Sequence, residues 1–267
     1  MDFLLVPDEL KQAAASCAAW LTARGWTVND ADDDLSFPLL PSMTARRDSA
    51  LQVVEVIDEI DDRRVSEWTL YGKSAGGEVK VSLCIRASCA SHDEIVVLAT
   101  RSGFGLYVVD DGAAVEMVEA RDLSATTTVP DLTNEDQWVR EALGQAVEEY
   151  GRTNWQEGLR RATTGFEGLC RARLIQLLGQ GARFSPVPER KTPPTAELIE
   201  RSPLGPLRIF FSMVDPSTAE SSTIVRVIGE IIDPRNDISH KNDTPEHRSK
   251  AVKLFYVVLR GARELRL

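Results

Sequence analysis

Cysteine and histidine, the residues that most often hold metals or attack substrates, are scarce in these 267 residues. The four cysteines (Cys17, Cys84, Cys89, Cys170) stand singly, with no C-x-x-C pair and no histidine at ligand spacing. That pattern argues against zinc and against a disulfide framework, and predicts small buried hydrophobes in a reducing compartment. No apolar run approaches membrane-spanning length. The start, Met1-Asp2-Phe3-Leu4-Leu5-Val6-Pro7, lacks a basic region followed by a long apolar core, so no signal peptide is expected. A soluble, cytoplasmic protein is predicted. There is no Gly-rich phosphate loop, no Ser/His/Asp order and no internal repeat. Gly103-Phe104-Gly105 is not extended into a dinucleotide fingerprint, and Glu148-Glu149, being sequential, point apart on a helix.

What is present is an uneven charge. The net charge of −10 divides into 11 Lys/Arg against 23 Asp/Glu over 1–133 and 20 against 18 over 134–267. An acidic half repels a polyanion at long range, so a nucleic acid is expected to approach the second half. The length suits two domains. The polar, β-branched stretch from Ala120 to Asn134 carries a proline and no helical period. The boundaries read 1–122 for an α/β domain, 123–134 for a linker and 135–267 for an all-α domain.

In the first domain, Leu10, Ala14, Cys17 and Leu21 recur at helical spacing and end at Gly25. An acidic loop, Asp30 to Asp34, follows and reads as solvated surface. Met43–Arg47 and Leu51–Asp58 predict a hairpin turning at Asp48-Ser49. Arg64–Tyr71 predicts a helix, Glu78–Ile85 a strand, and Ser91–Thr100 a helix with His92 facing solvent in its first turn. Leu106–Asp110 and Val115–Val118 predict two strands joined by Asp111-Gly112.

In the second domain Trp138, Leu143 and Val147 predict one face of a helix ending near Gly151. Leu159, Ala162, Phe166, Leu169, Arg173 and Leu177 predict the next, closing at Gly179–Gly181. Four prolines make 184–194 a loop. Ala196–Arg201 predicts a short helix, and Pro203 and Pro206 are expected to interrupt the apolar segment after it. Ser217–Ile232 predicts a helix with the stripe Ile224, Val227, Ile228 and Ile231. A last helix begins at Pro245 behind Thr244, with Val252, Phe255, Leu259 and Ala262 inward. Its basic residues Arg248, Lys250, Lys253, Arg260, Arg263 and Arg266 read as a solvated face.

Between those two helices lies Asp233-Pro234-Arg235-Asn236-Asp237-Ile238-Ser239-His240. Pro234 has no N–H and crowds the preceding turn, so it is expected to end one helix and open another, with Asp233 as N-cap. Arg235, Asn236 and His240 then sit beside free N–H groups that favour an anion. Arg235 offers a fork of donors to phosphate, and His240 exchanges a proton near neutral pH. Asn236 and His240 are four apart, so the amide can orient the imidazole. An ordinary helix start with a surface histidine fits the same eight residues.

Arg-Asn followed by three residues and His resembles the Arg-x4-His motif of HEPN-domain proteins, many of them metal-independent ribonucleases. The resemblance covers roughly the last half of the chain and implies a HEPN-like bundle of four or five helices. It also implies RNA as substrate, cleaved by 2′-hydroxyl attack to a 2′,3′-cyclic phosphate, with no cofactor and no metal. His240 would act as general acid/base, Arg235 would hold the phosphate charge, and Asn236 would position either. By the same resemblance two copies join as a homodimer through the bundle. A toxin or anti-phage defence role, restrained by a regulatory or antitoxin partner, follows from family analogy. The alternative is a non-catalytic HEPN module that binds a nucleotide or a partner.

The order of elements in the first domain resembles the PD-(D/E)XK restriction-endonuclease-like fold. Pro41-Ser42 stands where Pro-Asp would be, and Glu55-Val56-Ile57 where Glu-x-Lys would be. Only Glu55 remains, which implies a degenerate, non-catalytic copy of that fold. A metal site joining Glu55 to Asp48 or Asp58 is the remaining nuclease alternative.

Overall fold

The computed structural model describes every residue except 4, 31–36, 76, 126–127, 129, 215–218, 239–244 and 266–267, and only the backbone of 219–221, 233–238 and 245–246. The chain divides into two compact units, Met1–Ala125 and Thr126–Leu267.

The first unit is built on one six-stranded sheet whose spatial order equals its sequence order. The strands are β1 (Thr27–Asn29), β2 (Met43–Arg47), β3 (Ala50–Val56), β4 (Val79–Arg86), β5 (Gly105–Asp110) and β6 (Ala113–Val118). The predicted hairpins β2–β3 and β5–β6 are antiparallel. Their turns use left-handed backbone at Asp48 (φ 54°) and at Asp111 and Gly112 (φ 44° and 79°), which suits the twist of a tight hairpin. β3, β4 and β5 run parallel. Parallel neighbours need a crossover, and the helices α2 (Asp62–Ser74) and α3 (His92–Ser102) supply it.

The period of two sorts β3 between two cores. Val54 and Val56 pack with Leu10 and with Ala14, Cys17 and Leu21 of α1 (Lys11–Thr22). Leu51 and Val53 pack on the other side with Trp68 and Tyr71 of α2 and Ile95 and Ala99 of α3. The four cysteines are buried free thiols. β1 was not expected from the sequence: at three residues it has no period to detect, and its pairing with β2 is what makes it a strand. Asp30, at the start of the loop read as surface, accepts the N–H groups of Asp2 (2.6 Å) and Phe3 (3.2 Å), and the Phe3 bond leads the effects that hold its carboxyl below the usual range. The rest of that acidic loop lies outside the described residues.

The second unit is helical throughout its regular structure: α4 (Gln137–Gly151), α5 (Trp155–Gly179), α6 (Ala196–Arg201), α7 (Leu204–Met213), α8 (Ala219–Ile238) and α9 (Pro245–Glu264). The buried face of α4 is Val139, Leu143, Ala146 and Tyr150, one position away from the expected Trp138 and Val147, which are half-buried. On α5 the inward residue is Leu174 and not Arg173. Pro203 and Pro206 do not interrupt the apolar segment, because Pro203 caps α7 and Pro206 falls in its first turn, where an N–H has no helical partner to lose.

α4 and α5 approach closely at Gly165, where a Cβ would lie 2.1 Å from the Ala142 carbonyl oxygen. The obstacle is backbone, so the helices must part to admit a methyl. Gly165→Ala is therefore expected to destabilise the unit by about 2–3 kcal/mol in urea denaturation, overpacking outweighing alanine's better helix propensity. Gly168→Ala, which meets nothing within 4 Å, is expected to stabilise by about 0.5–1 kcal/mol. Equal effects at the two positions would contradict this contact.

Candidate functional site

Ile224, Val227, Ile228 and Ile231 are all fully buried and hold α8 in the bundle. The helix does not stop at Pro234 as expected. It runs on to Ile238, so Asp233 is no N-cap and Arg235 and Asn236 belong to the last two turns of the same helix. Proline in a helix interior costs about 3 kcal/mol, and the buried stripe, added to the α8–α9 packing described next, is enough to carry α8 past it. The electrostatic consequence reverses the sequence reading. A helix C-terminus presents free carbonyls and favours cations. An anion there must be held by side chains and not by backbone N–H groups. His240 lies outside the described residues.

α9 runs antiparallel to α8. A Cβ on Gly261 would lie 2.5 Å from Val227 Cγ1, which sets these residues level. In a parallel pair the chain would have to return over roughly 40 Å from Ile238 to Pro245, at about 1.5 Å per residue. Seven steps of chain reach at most roughly 25 Å. The end of α8 carrying Arg235 and Asn236 thus lies at the same end of the bundle as the first turns of α9. At this end Tyr150 Oη donates to the Ala251 carbonyl (2.9 Å), with its ring edge-on to Phe255 and Trp155. Burial pushes the Tyr150 phenol well above its ordinary range, which keeps it a neutral donor. The Trp155 indole N–H is buried without a partner among the described residues.

The basic residues of α9 separate into two groups. Arg260 and Arg263 are not the solvated face expected of them. Arg260 is 6% exposed and donates to Glu230 Oε2 (2.6 Å), while Glu230 Oε1 takes Arg226 (3.1 Å). Arg263 forks onto the buried Glu135 of the stretch before α4. Both are ties between segments of the bundle. Arg248 and Lys250, on the first turns of α9, are exposed, and Arg266 lies outside the described residues.

In the first unit the structure brings together Ser42 and Glu55, paired on the sequence pattern, and adds two residues of α2 that the sequence did not reveal. Glu55 Oε2 accepts from Ser42 Oγ (3.0 Å) and Arg64 Nη2 (3.2 Å). Oε1 accepts from Arg64 Nη2 (2.9 Å), Arg64 Nε (3.3 Å) and Trp68 Nε1. Ser42 Oγ also accepts from the Val56 N–H (3.1 Å). Both oxygens of this carboxylate, only 3% exposed, are committed, and a guanidinium stands where a cation would bind. Asp48 cannot assist, since it turns the hairpin seven residues from Glu55, roughly 20 Å along a strand. Asp58 Oδ2 is engaged by Arg86 Nη2 (2.6 Å). Among the described residues no three acidic, His or Cys side chains gather as a metal would need.

The chain matches no protein-family model, no curated protein and no solved structure. Magnesium or manganese is expected to leave the melting temperature unchanged and to support no DNA cleavage. A cation-dependent stabilisation that disappears in Glu55→Gln would contradict the committed state of that carboxylate.

Among the described residues no helix is long and apolar enough to cross a membrane.

Proposed function

We propose that the helical unit is a HEPN-type endoribonuclease that cleaves RNA without a metal through Arg235, Asn236 and His240. The observation that carries the reading is the Arg-Asn-x3-His sequence at the exit of α8, at one end of a helical bundle. Exposed Arg248 and Lys250 at that same end offer contacts to RNA phosphates flanking the cut. The ribose 2′-hydroxyl attacks the adjacent phosphorus and the 5′-oxygen leaves, giving a 2′,3′-cyclic phosphate and a 5′-hydroxyl. His240 moves the proton, and Arg235 balances the charge that grows on the phosphoryl oxygens. The same reading makes the protein a homodimer. One bundle supplies one Arg235 and one His240, whereas an isologous pair places two of each around one scissile phosphate, an acid and a base together. A role as a toxin or defence effector belongs to this reading by analogy only.

The first unit is read as a restriction-endonuclease-like domain without its chemistry. The order helix, three strands, helix, strand, with β3 and β4 parallel, supports that reading, as does the meeting of Ser42 with Glu55.

The test is incubation of the purified chain with total RNA in EDTA, with product ends analysed. Cyclic-phosphate ends support the proposal. An inert protein favours the non-catalytic module that binds a nucleotide or partner.

A further inference from the structure

The α1 face of the sheet carries a feature that neither the ribonuclease reading nor Glu55 uses. Glu55 follows Leu51 and Val53 onto the α2–α3 face, whereas Gln52 points to the α1 side. That side is an apolar core of Val54, Val56, Cys84 and Val109. At the beginnings of the parallel strands it changes character. Gln52 (2% exposed), Ser82 and Tyr107 are buried together there, with Gln52 Nε2 donating to Ser82 Oγ (2.9 Å) and to Tyr107 Oη (2.8 Å). Glu116 stands opposite Tyr107 in the register of β5 and β6. Burying polar groups brings no stability that a valine core would lack. The cost has to be met by another use.

That polar floor underlies a cavity of about 330 Å³ walled by Trp20 and Trp26. The Arg24 guanidinium lies over the Trp20 ring at 3.5 Å, and that of Arg47 over Trp26 at 4.6 Å. Each also donates one N–H to a carbonyl, Arg24 to Trp20 (3.2 Å) and Arg47 to Arg24 (3.3 Å). Both planes are thus held in place, and no described carboxylate lies within ion-pair distance of either. Lys80, whose Nζ also lies 3.5 Å from Glu78 Oε1, completes the basic wall. Three of the eleven basic residues of an otherwise acidic half converge on this one space. Glu116 and Glu119 line the same space, and burial raises the Glu116 carboxyl above its ordinary value.

We propose that this cavity binds a small phosphate ester of nucleoside-monophosphate size. Arg24, Arg47 and Lys80 hold the phosphate, and Glu116 and Glu119 take hydroxyl or amino donors of the ester. Pre-stacked guanidiniums suit phosphate because little side-chain freedom is lost on binding. The volume lies at the small end of ligand pockets, which fits one nucleotide or sugar phosphate and not an oligonucleotide.

Isothermal titration calorimetry on the full chain tests this with AMP, GMP, CMP, UMP, glucose 6-phosphate, inorganic phosphate, adenosine and a 5′-phosphorylated oligoribonucleotide as probes. At least one phosphate ester is expected to saturate one site per chain in the micromolar to millimolar range, with adenosine silent. Arg24→Gln and Arg47→Gln are each expected to weaken binding about tenfold or more, as loss of a charge-assisted bond does. Lys80→Gln serves as a third variant should either arginine change disturb folding. Arg121→Gln, outside the cavity, is expected to bind as wild type. Absence of saturable heat from every ester overturns the proposal. So does binding indifferent to all three substitutions, or binding confined to the oligonucleotide. Heat of binding is read independently of RNA cleavage, so failure here leaves the ribonuclease reading standing.

Discussion

Replacing His240 by alanine is expected to slow RNA cleavage by about 10²–10⁴, the usual effect of losing positioned proton transfer. Arg235→Ala is expected to depress it by a comparable order, through loss of the group that balances charge on the phosphoryl oxygens. The helix end adds a reason for the size of the second effect. The last turn of α8 offers carbonyls and not N–H groups, so its backbone does not substitute for the guanidinium. Both variants are expected to fold, because the packing that holds α8 is carried by Ile224, Val227, Ile228 and Ile231, all N-terminal to the motif. His247→Ala is expected to be close to neutral. The measurement is single-turnover cleavage by folded wild type and variants in EDTA. Unchanged rates in both variants, or products ending in a free 3′-hydroxyl, would sink the mechanism.

The second large effect concerns stability and belongs to the first unit. Glu55→Ala is expected to destabilise that unit by about 3–5 kcal/mol, equivalent to roughly 10–15 °C in its melting temperature. The carboxylate is the shared acceptor for Arg64, Trp68 and Ser42, and the Trp68 side chain is fully buried. Removing it orphans an indole N–H, takes the charge partner from a guanidinium and leaves a void. Arg64 keeps its bond to the Leu40 carbonyl (2.7 Å) and is about one-third exposed, so its share of the loss is the smaller one. A double variant, Glu55→Leu with Arg64→Met, is expected to lose less than the two single changes added together, because both ends of the pair go. Calorimetric melting of the four proteins reads this directly. Additive losses would show that Glu55 and Arg64 act independently.

The sequence carried the helices and hairpins wherever a period ran long enough to detect. Leu10 to Leu21 and Ile224 to Ile231 specify their buried faces because three or four turns repeat the same choice. It misled where one position decides. Trp138 looks more apolar than Val139, yet the face that α4 turns inward contains the smaller residue. Pro234 is a local veto on helix, and tertiary packing overrode it. The partners of Glu55 were illegible for a different reason. Arg64 and Trp68 sit nine and thirteen residues away on a helix, and only the crossover from β3 to α2 brings them under the strand. The cavity over Gln52 was equally hidden, since its walls come from α1, β2, β4 and β6, and no short stretch contains two opposing sides.

A sheet whose strands lie side by side in the order they are written has a kinetic consequence. Every strand of the first unit pairs only with its predecessor and its successor. No strand waits for a distant one to be synthesised before it finds an edge. On the ribosome, where chains emerge N-terminus first at about 5–20 residues per second, each new strand can be added to a template already formed. Loop closure then stays short for the hairpins and is bridged by a single helix for each parallel step. This unit is expected to mature vectorially, and its sheet to be complete through β6 while α8, with Arg235, is still to be translated.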